Sequence, residues 1–462
     1  MSEQTDRIST GNRQADEIMR GGFPAHSINL IIGQPGSGKT VFAEQLAFHN
    51  ADENSQVLYL TTLSEPVSKV LKYVQKFPFF DTAKIGSVIH YEDIGHDLAK
   101  NGIHSLVTRL EDAIKTTSPK IIIIDSFKPL HDLSTVLEMR QMLFQLTGLL
   151  TAYETTTFLL GDYADDQTGI MPEFAVVDGI IQLLRSVRST RDERFLRVLK
   201  MRGTGYIEGL HGFRISSTGL EIYPRLVTPE ITDAEEFVVG EEQVPSGIDG
   251  LDKVIGGGLW KGSMTLLSGG TGTGKTTMAL QFALEGVRQG VRSLYVNLQE
   301  NPAQLARSVR NLSGHKMKES GLDMLYISPV EVQIDSIIVT LFRMIQEKNI
   351  RRVVVDSIGD LAMAASDPQR LHDYLYALVQ HFAVKGITAM FTLETGDAIT
   401  GASTDSPLGR ISYMSDNIFM LDLKQEPDSE PRRELKCVKT RGSKQSLSVH
   451  EFTIESDGLH IS

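Results

Sequence analysis

"GQPGSGKT", residues 33–40, has a counterpart in "GGTGTGKT", residues 269–276 of the same chain. Both fit Gly-x-x-x-x-Gly-Lys-Thr, and each part of that pattern has a physical task. Gly33, Gly36 and Gly38 let the backbone turn so that successive N–H groups point inward at phosphate oxygens. Each loop stands between an apolar run and a helical pattern, so a bound phosphate also meets the positive end of a helix. Lys39 is placed to reach β- and γ-phosphates, and the Thr40 hydroxyl to complete a Mg²⁺ shell. The expected ATP contacts are Gly36, Ser37, Gly38, Lys39, Thr40 and Val41 in the first loop. In the second they are Gly272, Thr273, Gly274, Lys275, Thr276 and Thr277. Asp125 and Asp356 end apolar strands, where a carboxylate lies beside the loop and holds Mg²⁺-bound water, so the metal set is Thr40 with Asp125 and Thr276 with Asp356.

The likeness extends well beyond the loops. Lys39 and Lys275 lie 236 residues apart, as do the "STG" ending at Gly11 and the "PSG" ending at Gly247. "IMRGGF" matches "VIGGGL" at that offset, "IIIIDS" matches "RVVVDS" at 231, and "KMRGT" matches "KTRGS" at 239. "HGFRISSTGLEI" and "HEFTIESDGLHI" close the series. Blocks in one order with a slowly drifting offset mean a duplicated domain, and the period is far too long for a solenoid. The reading divides the chain into a first domain at 1–225, a linker at 226–242 and a second domain at 243–462. The linker stretch is acidic, holds a proline and lacks a sustained apolar period.

Within copy one, "HSINLIIG", "SQVLYLTT", "KIIIIDS" and "TTFLLGD" are short strands rich in β-branched residues, separated by helical patterns such as "GIHSLVTRLEDAIKTT". Continuous Val/Ile runs between helices predict a mostly parallel sheet covered on both faces, an α/β fold. "DGIIQLLRSV", "RFLRVLKMRG" and "GFRISSTGLEI" lack intervening helices and are expected as antiparallel additions at one edge.

Composition fits a soluble globular protein, with 41% hydrophobic and 23% charged residues and a net charge of −12. That acidity argues against a surface built to grip nucleic-acid phosphates. A single cysteine, Cys437 in the alternating "LKCVK", excludes an internal disulfide framework and is expected on a buried strand. The polar start "MSEQTDRISTGNRQADEIM" carries no signal-peptide pattern, and no apolar run approaches the length that spans a bilayer, so a cytoplasmic location is expected. His96 and His104 lack further ligands at metal spacing and are expected as surface residues. Trp260, matching Pro24 of copy one, is expected to pack beside the loop.

The tandem "KMRGT" and "KTRGS", with "STG…RGGF" and "PSGIDGLDKVIGGGL" ahead of the loops, resemble the KaiC family of double-domain, RecA-like ATPases over nearly the whole chain. The resemblance implies two tandem RecA-like P-loop domains, homo-hexameric rings, ATP/ADP bound between protomers with Mg²⁺, and a KaiB-like regulatory partner. It also implies that Lys200 with Arg202, and Lys439 with Arg441, reach the nucleotide held by a neighbouring subunit. A fixed cation at the γ-phosphate offsets charge that develops in the transition state.

Three departures from the family pattern shape the expected chemistry. Members carry two adjacent acids after the second strand, whereas "YVNLQENP" has Gln299 then Glu300, and "YLTTLSEP" has Leu63 and Ser64 with Glu65 one place late. Either Glu65 swings in or the first ring hydrolyses poorly. The family's adjacent Ser-Thr phosphoacceptors fall here on "RISYMSDNI", where Ser412 keeps the serine, Tyr413 replaces the threonine and Ser415 follows. Serine autokinase activity on Ser412 is the expectation. The sequence ends at "GLHIS", where clock members continue into a tail for their activator, so an hourglass, stress or signalling role is expected over a full oscillator. Two other readings stand beside this one: a RecA-like DNA-repair ATPase, and a nucleotide-sensing scaffold with little catalysis.

Overall fold

Ile121, Ile122, Ile123 and Ile124 are apolar at every position, so the strand they form needs cover on both faces. The computed structural model describes residues 6–63, 65–163, 171–188, 191–231, 242–298, 300–328, 330, 332–365, 367–395, 411–425, 430–443, 446 and 448–462. In it Ile121–Asp125 runs inside a nine-stranded sheet, and all four isoleucines are fully buried. Alternation sends them to opposite sides. Ile121 and Ile123 join Phe42 and Leu46 of the helix Lys39–Asn50. Ile122 and Ile124 join Leu106 and Leu110 of His104–Thr117, and Met139 and Leu143 of Val136–Ala152. Truncating any one of these to alanine costs about 2–5 kcal/mol. The helix Val136–Ala152 starts where it does because Thr135 and Glu138 cap each other's backbone N–H groups.

Six parallel strands lie in the order Gly179–Arg188, Ile28–Gly33, Thr156–Gly161, Ile121–Asp125, Val57–Thr61 and Ile89–Asp93. Arg191–Met201, His211–Ser216 and Gly219–Tyr223 extend the sheet antiparallel beyond Gly179–Arg188. A second sheet repeats this order from Asp323–Tyr326 at one edge, through Met264–Gly269 and Asn417–Lys424, to Arg432–Thr440, Val449–Glu455 and Gly458–Ile461. The chain divides into two compact units, Met1–Arg225 and Leu226–Ser462. Each is thus a mostly parallel sheet flanked by helices with an antiparallel edge. In the second unit Leu226 packs against the core, and the Val227 carbonyl meets His381 Nε2 at 2.9 Å.

One strand differs from the sequence expectation. "DGIIQLLRSV" is not an antiparallel addition: Gly179–Arg188 runs parallel to Ile28–Gly33. Ahead of Gly179–Arg188, the described helix Glu173–Val176 is too short to show a helical period. Cys437 is buried on the strand Arg432–Thr440 as expected. Trp260 sits against Gly442 of the "KTRGS" turn rather than beside the loop. His96 and His104 are exposed and belong to no three-ligand cluster among the described residues.

The two cores are not copies in one respect. Glu44, on the helix Lys39–Asn50, is fully buried and accepts a 2.7 Å hydrogen bond from the Tyr91 hydroxyl. The matching place in the second copy is Leu280. Burial, aided by the Asp125 charge, pushes the Glu44 carboxyl up to about 8 against the opposing pull of the Tyr91 hydrogen bond. The folded state therefore binds this proton more tightly than the unfolded chain does. Its contribution is complete below the ordinary glutamate range and is lost as pH rises towards 8. Glu44→Gln should gain on wild type by up to roughly 4 kcal/mol between pH 5 and pH 8. Thermal unfolding of the full chain at both pH values checks this; a pH-independent difference contradicts it.

Candidate functional site

Gly38 and Gly274 each have φ of +103°, and a Cβ there would lie 2.9 Å from Ile215 Cδ1 or 2.6 Å from Ile454 Cδ1. Only glycine fits both the turn and the space. The helices Lys39–Asn50 and Lys275–Arg288 start at the next residue without side-chain caps, so their first N–H groups face the loop. Gly36 and Gly272 are also left-handed, at +75° and +76°, and open outward. Ser37 is buried, and the Thr273 hydroxyl donates to the Gly270 carbonyl at 2.8 Å. Val41 packs on the first core. Thr277 lines a cavity of about 480 Å³ together with Lys275, Thr276, Glu300 and Asp356.

Lys39 Nζ donates to the carbonyls of Gly33 (2.9 Å) and Gln34 (3.1 Å) and pairs with Asp162. Lys275 Nζ donates likewise to Gly269 (2.9 Å) and Gly270 (2.7 Å). Burial holds Lys275 below the usual lysine range, opposed by Glu394 and Asp356. Asp162 and Glu394 follow matching positions on the strand beside each loop, and Glu394 accepts from the Thr271 hydroxyl. The sequence reading passed over both. The signal was an acid closing "LLGD" and "FTLE", visible only once parallel register sets those strands next to the loops.

Thr40 Oγ1 donates to Asp125 Oδ2 at 3.0 Å, and Thr276 Oγ1 to Asp356 Oδ2 at 3.0 Å. A hydroxyl and a carboxylate converging in this way, in both copies, are oxygen donors suited to a hard divalent cation. Behind each carboxylate stands a tyrosine: Tyr59 donates to Asp125 at 2.9 Å and Tyr295 to Asp356 at 2.6 Å. Burial raises the Asp125 carboxyl, and hydrogen bonds from Tyr59 and Thr40 oppose the rise. These tyrosines were legible as matched hydroxyls inside apolar strands, "YLTT" and "YVNL".

The acids that follow the second strand differ between copies. Glu300 lines the cavity, with its backbone N–H held by Asn297 Oδ1 at 2.9 Å and its carbonyl by Asn297 Nδ2 at 2.7 Å. Burial, then the Asp356 charge, raises its carboxyl. Glu65 is partly buried and is turned to Lys69 at 2.7 Å, one helical turn on. Gln299 and Ser64 lie outside the described residues.

The Lys-x-Arg pairs stand at the other end of each sheet. Gly33, at the loop, is level with Leu183 and Leu196, whereas Asn29, four residues back, is level with Gly179 and Met201. Lys200 and Arg202 flank Met201. In copy two, Gly269 is level with Leu421 and Leu435, and Thr265 with Asn417 and Thr440, which Lys439 and Arg441 flank. Four strand residues put roughly 13 Å between the two levels, with two strand spacings across the sheet as well. Lys200 Nζ is held by the carbonyls of Phe174 (3.4 Å) and Val177 (2.6 Å), and Lys439 Nζ by those of Ser412 (2.9 Å) and Ser415 (2.6 Å). Arg202 lies 3.4 Å from Asp178, and Arg441 donates to the Tyr413 carbonyl at 2.9 Å. The arginines remain largely exposed. Ser412 therefore shares a cluster with the cations of its own chain and not with its own loop.

The fold agrees with the sequence comparisons. A family model for the KaiC ATPase matches residues 8–227 and again residues 244–462. The circadian clock oscillator protein KaiC of Picosynechococcus sp. is 27% identical, over 98% of this chain and 89% of its own length. That of Acaryochloris marina is 27% identical over 99% and 89%. The circadian clock protein KaiC3 of Synechocystis sp. is 27% identical over 100% and 93%. No helix among the described residues is long and apolar enough to cross a membrane. With its KaiC ATPase domain written twice, each built on a six-stranded parallel core with a glycine loop at one end and a Lys-x-Arg pair at the other, this chain belongs to the KaiC family of ATPases.

Proposed function

We propose that the chain assembles into a homo-hexameric double ring that binds ATP at subunit interfaces, hydrolyses it at unequal rates in its two halves, and phosphorylates itself in the second. The observation that carries this reading is the separation of loop and cations to opposite ends of each sheet. A phosphate on Lys39 or Lys275 has no cation of its own Lys-x-Arg pair within reach, since that pair marks the opposite end of the sheet, the finger end. Head-to-tail packing of protomers brings the loop end of one to the finger end of the next, and such a heterologous contact closes into a ring. Lys200, Arg202, Lys439 and Arg441 then supply cationic charge in trans to a γ-phosphate. Mg²⁺ would be held by Thr40 with Asp125, and by Thr276 with Asp356; when bound it neutralises charge on the phosphates.

Glu300 is the base or water-orienting group of the second site, since it stands in the cavity with its backbone fixed. Gln299 beside it is neutral and leaves that role to Glu300. Glu65 points at Lys69, so the first site binds nucleotide firmly and turns it over slowly. The acceptor segment also separates the halves. Ser412 to Ser415 correspond to Phe174, Ala175, Val176 and Val177 in copy one, which offer no hydroxyl. Ser415 is fully buried and donates to Ile411 O at 3.2 Å, which leaves Ser412 as the serine acceptor. The named relatives are circadian clock proteins, and a timer or switch read by a KaiB-like partner is the role we carry to this chain.

Lys275→Ala and Arg441→Ala should each lower second-domain ADP release by about 10²–10³-fold. A one-to-one mixture of the two should recover about a quarter of it, because random ring assembly leaves that share of interfaces intact. Native mass with and without nucleotide gives the protomer number, and a mixture no better than its parts would count against shared sites. Glu300→Gln should cost about 10²-fold or more in second-domain turnover. Glu65→Gln should change total ADP release less than twofold, and an equal loss from both variants would refute the assigned asymmetry.

A further inference from the structure

Tyr413 stands where the family resemblance leads one to expect threonine, and its hydroxyl meets an imidazole that can take its proton. The residue is about half exposed, at 49%. Its hydroxyl lies 2.7 Å from His372 Nε2, on the helix Pro368–Val384. The other ring nitrogen, His372 Nδ1, is buried without a hydrogen bond, and the Asp373 carboxylate lies 3.5 Å from it as a nearby charge. A carboxylate on that side favours the tautomer with its proton on Nδ1, which leaves Nε2 free to accept from the phenol. Nucleophile and base are thus within hydrogen-bond reach, as in sites where a weak hydroxyl is made to attack. The phenol needs such help, because burial, with Tyr376 and Asp373 nearby, holds its hydroxyl above the usual tyrosine range.

Two further observations tie this arrangement to phosphoryl transfer. The Tyr413 carbonyl accepts from Arg441 Nη2 at 2.9 Å, so its backbone is held beside one of the cations. Hydroxyl and base also occur together. The matching places in copy one are Ala175 and Arg140, so the copy without an acceptor hydroxyl also lacks the imidazole. A tyrosine kept only for packing would not require that coincidence.

We propose that Tyr413 is a second phosphoacceptor, a tyrosine, with His372 as its catalytic base. This rests on the reading of nucleotide held between protomers. Tyr413 Oη attacks the γ-phosphorus of ATP on the neighbouring subunit, forming an Oη–P bond. The bond from the γ-phosphorus to the β–γ bridging oxygen breaks, and ADP leaves with that electron pair. The phenol proton passes to His372 Nε2, and the charge on the ring is offset by Asp373. The product is phosphotyrosine, on a residue whose backbone carbonyl is held by Arg441.

The full-length protein incubated with Mg-ATP should gain phosphate that maps to Tyr413 by tandem mass spectrometry and survives alkali, which strips phosphoserine. Tyr413→Phe should lose that phosphate and Ser412→Ala should keep it. His372→Ala should slow its appearance by about 10²-fold, with partial rescue by added imidazole, a response that mere loss of packing would not give. ADP release and native mass are followed in the same samples. Turnover in an assembled particle with phosphate on Ser412 alone, or on no residue, overturns Tyr413 as acceptor. Labelling of Tyr413 that is unchanged in His372→Ala overturns the base. Loss of both turnover and assembly overturns the interface reading, and the acceptor falls with it.

Discussion

Every parallel strand of a P-loop sheet ends on the same side, and that direction governs this molecule. The glycine loops, Asp125 and Asp356 all lie at the C-terminal end, where backbone N–H groups and a helix terminus gather at one spot. The antiparallel strands Arg191–Met201 and Arg432–Thr440 return the chain to the opposite end before delivering their cations. A protomer therefore holds each half of its catalytic charge where the other half cannot meet it. In the assembly we propose, association supplies what the single chain lacks, and nucleotide at the junction favours the assembled form by mass action.

The second consequence of this polarity concerns the acceptor segment. Asp178 and Asp416 begin the strands next to the loop strands, and their carboxylates cap the N–H groups of Ile28 and Met264 at 3.0 and 2.9 Å. Whatever precedes those aspartates is thereby held at the finger end. In copy one that stretch is apolar apart from Glu173, whose buried carboxylate is taken by Tyr163 and His131. In copy two it carries Ser412 and Tyr413. The same backbone thus serves a silent structural corner in one half and a set of hydroxyls in the other. Glu44 against Leu280, and Glu65 against Glu300, extend the contrast: the first half spends its acids on burial and a surface pair, the second sets one in the cavity.

Much of the fold was legible because its signals are local. Four consecutive isoleucines can only be a buried strand, Gly-Lys-Thr after such a strand can only open a helix over a phosphate cradle, and six blocks repeated in order give a duplication. What escaped was whatever depends on neighbours distant in sequence. Gly179–Arg188 gave no sign of its direction because strand polarity belongs to the connection, not to the side-chain pattern. Ile89–Asp93 alternates with polar residues, and its Tyr91 meets Glu44 only once an edge strand and a loop helix are packed on one face.

By itself, then, the sequence determined two phosphate loops, a doubled α/β domain and the residue types available for chemistry, since these follow from short-range pattern and covalent order. Tertiary structure alone decided which end of the sheet each charge occupies, which acid enters the cavity and which hydroxyl meets an imidazole. Those are matters of register and packing between segments far apart in the chain, and no one-dimensional pattern carries them.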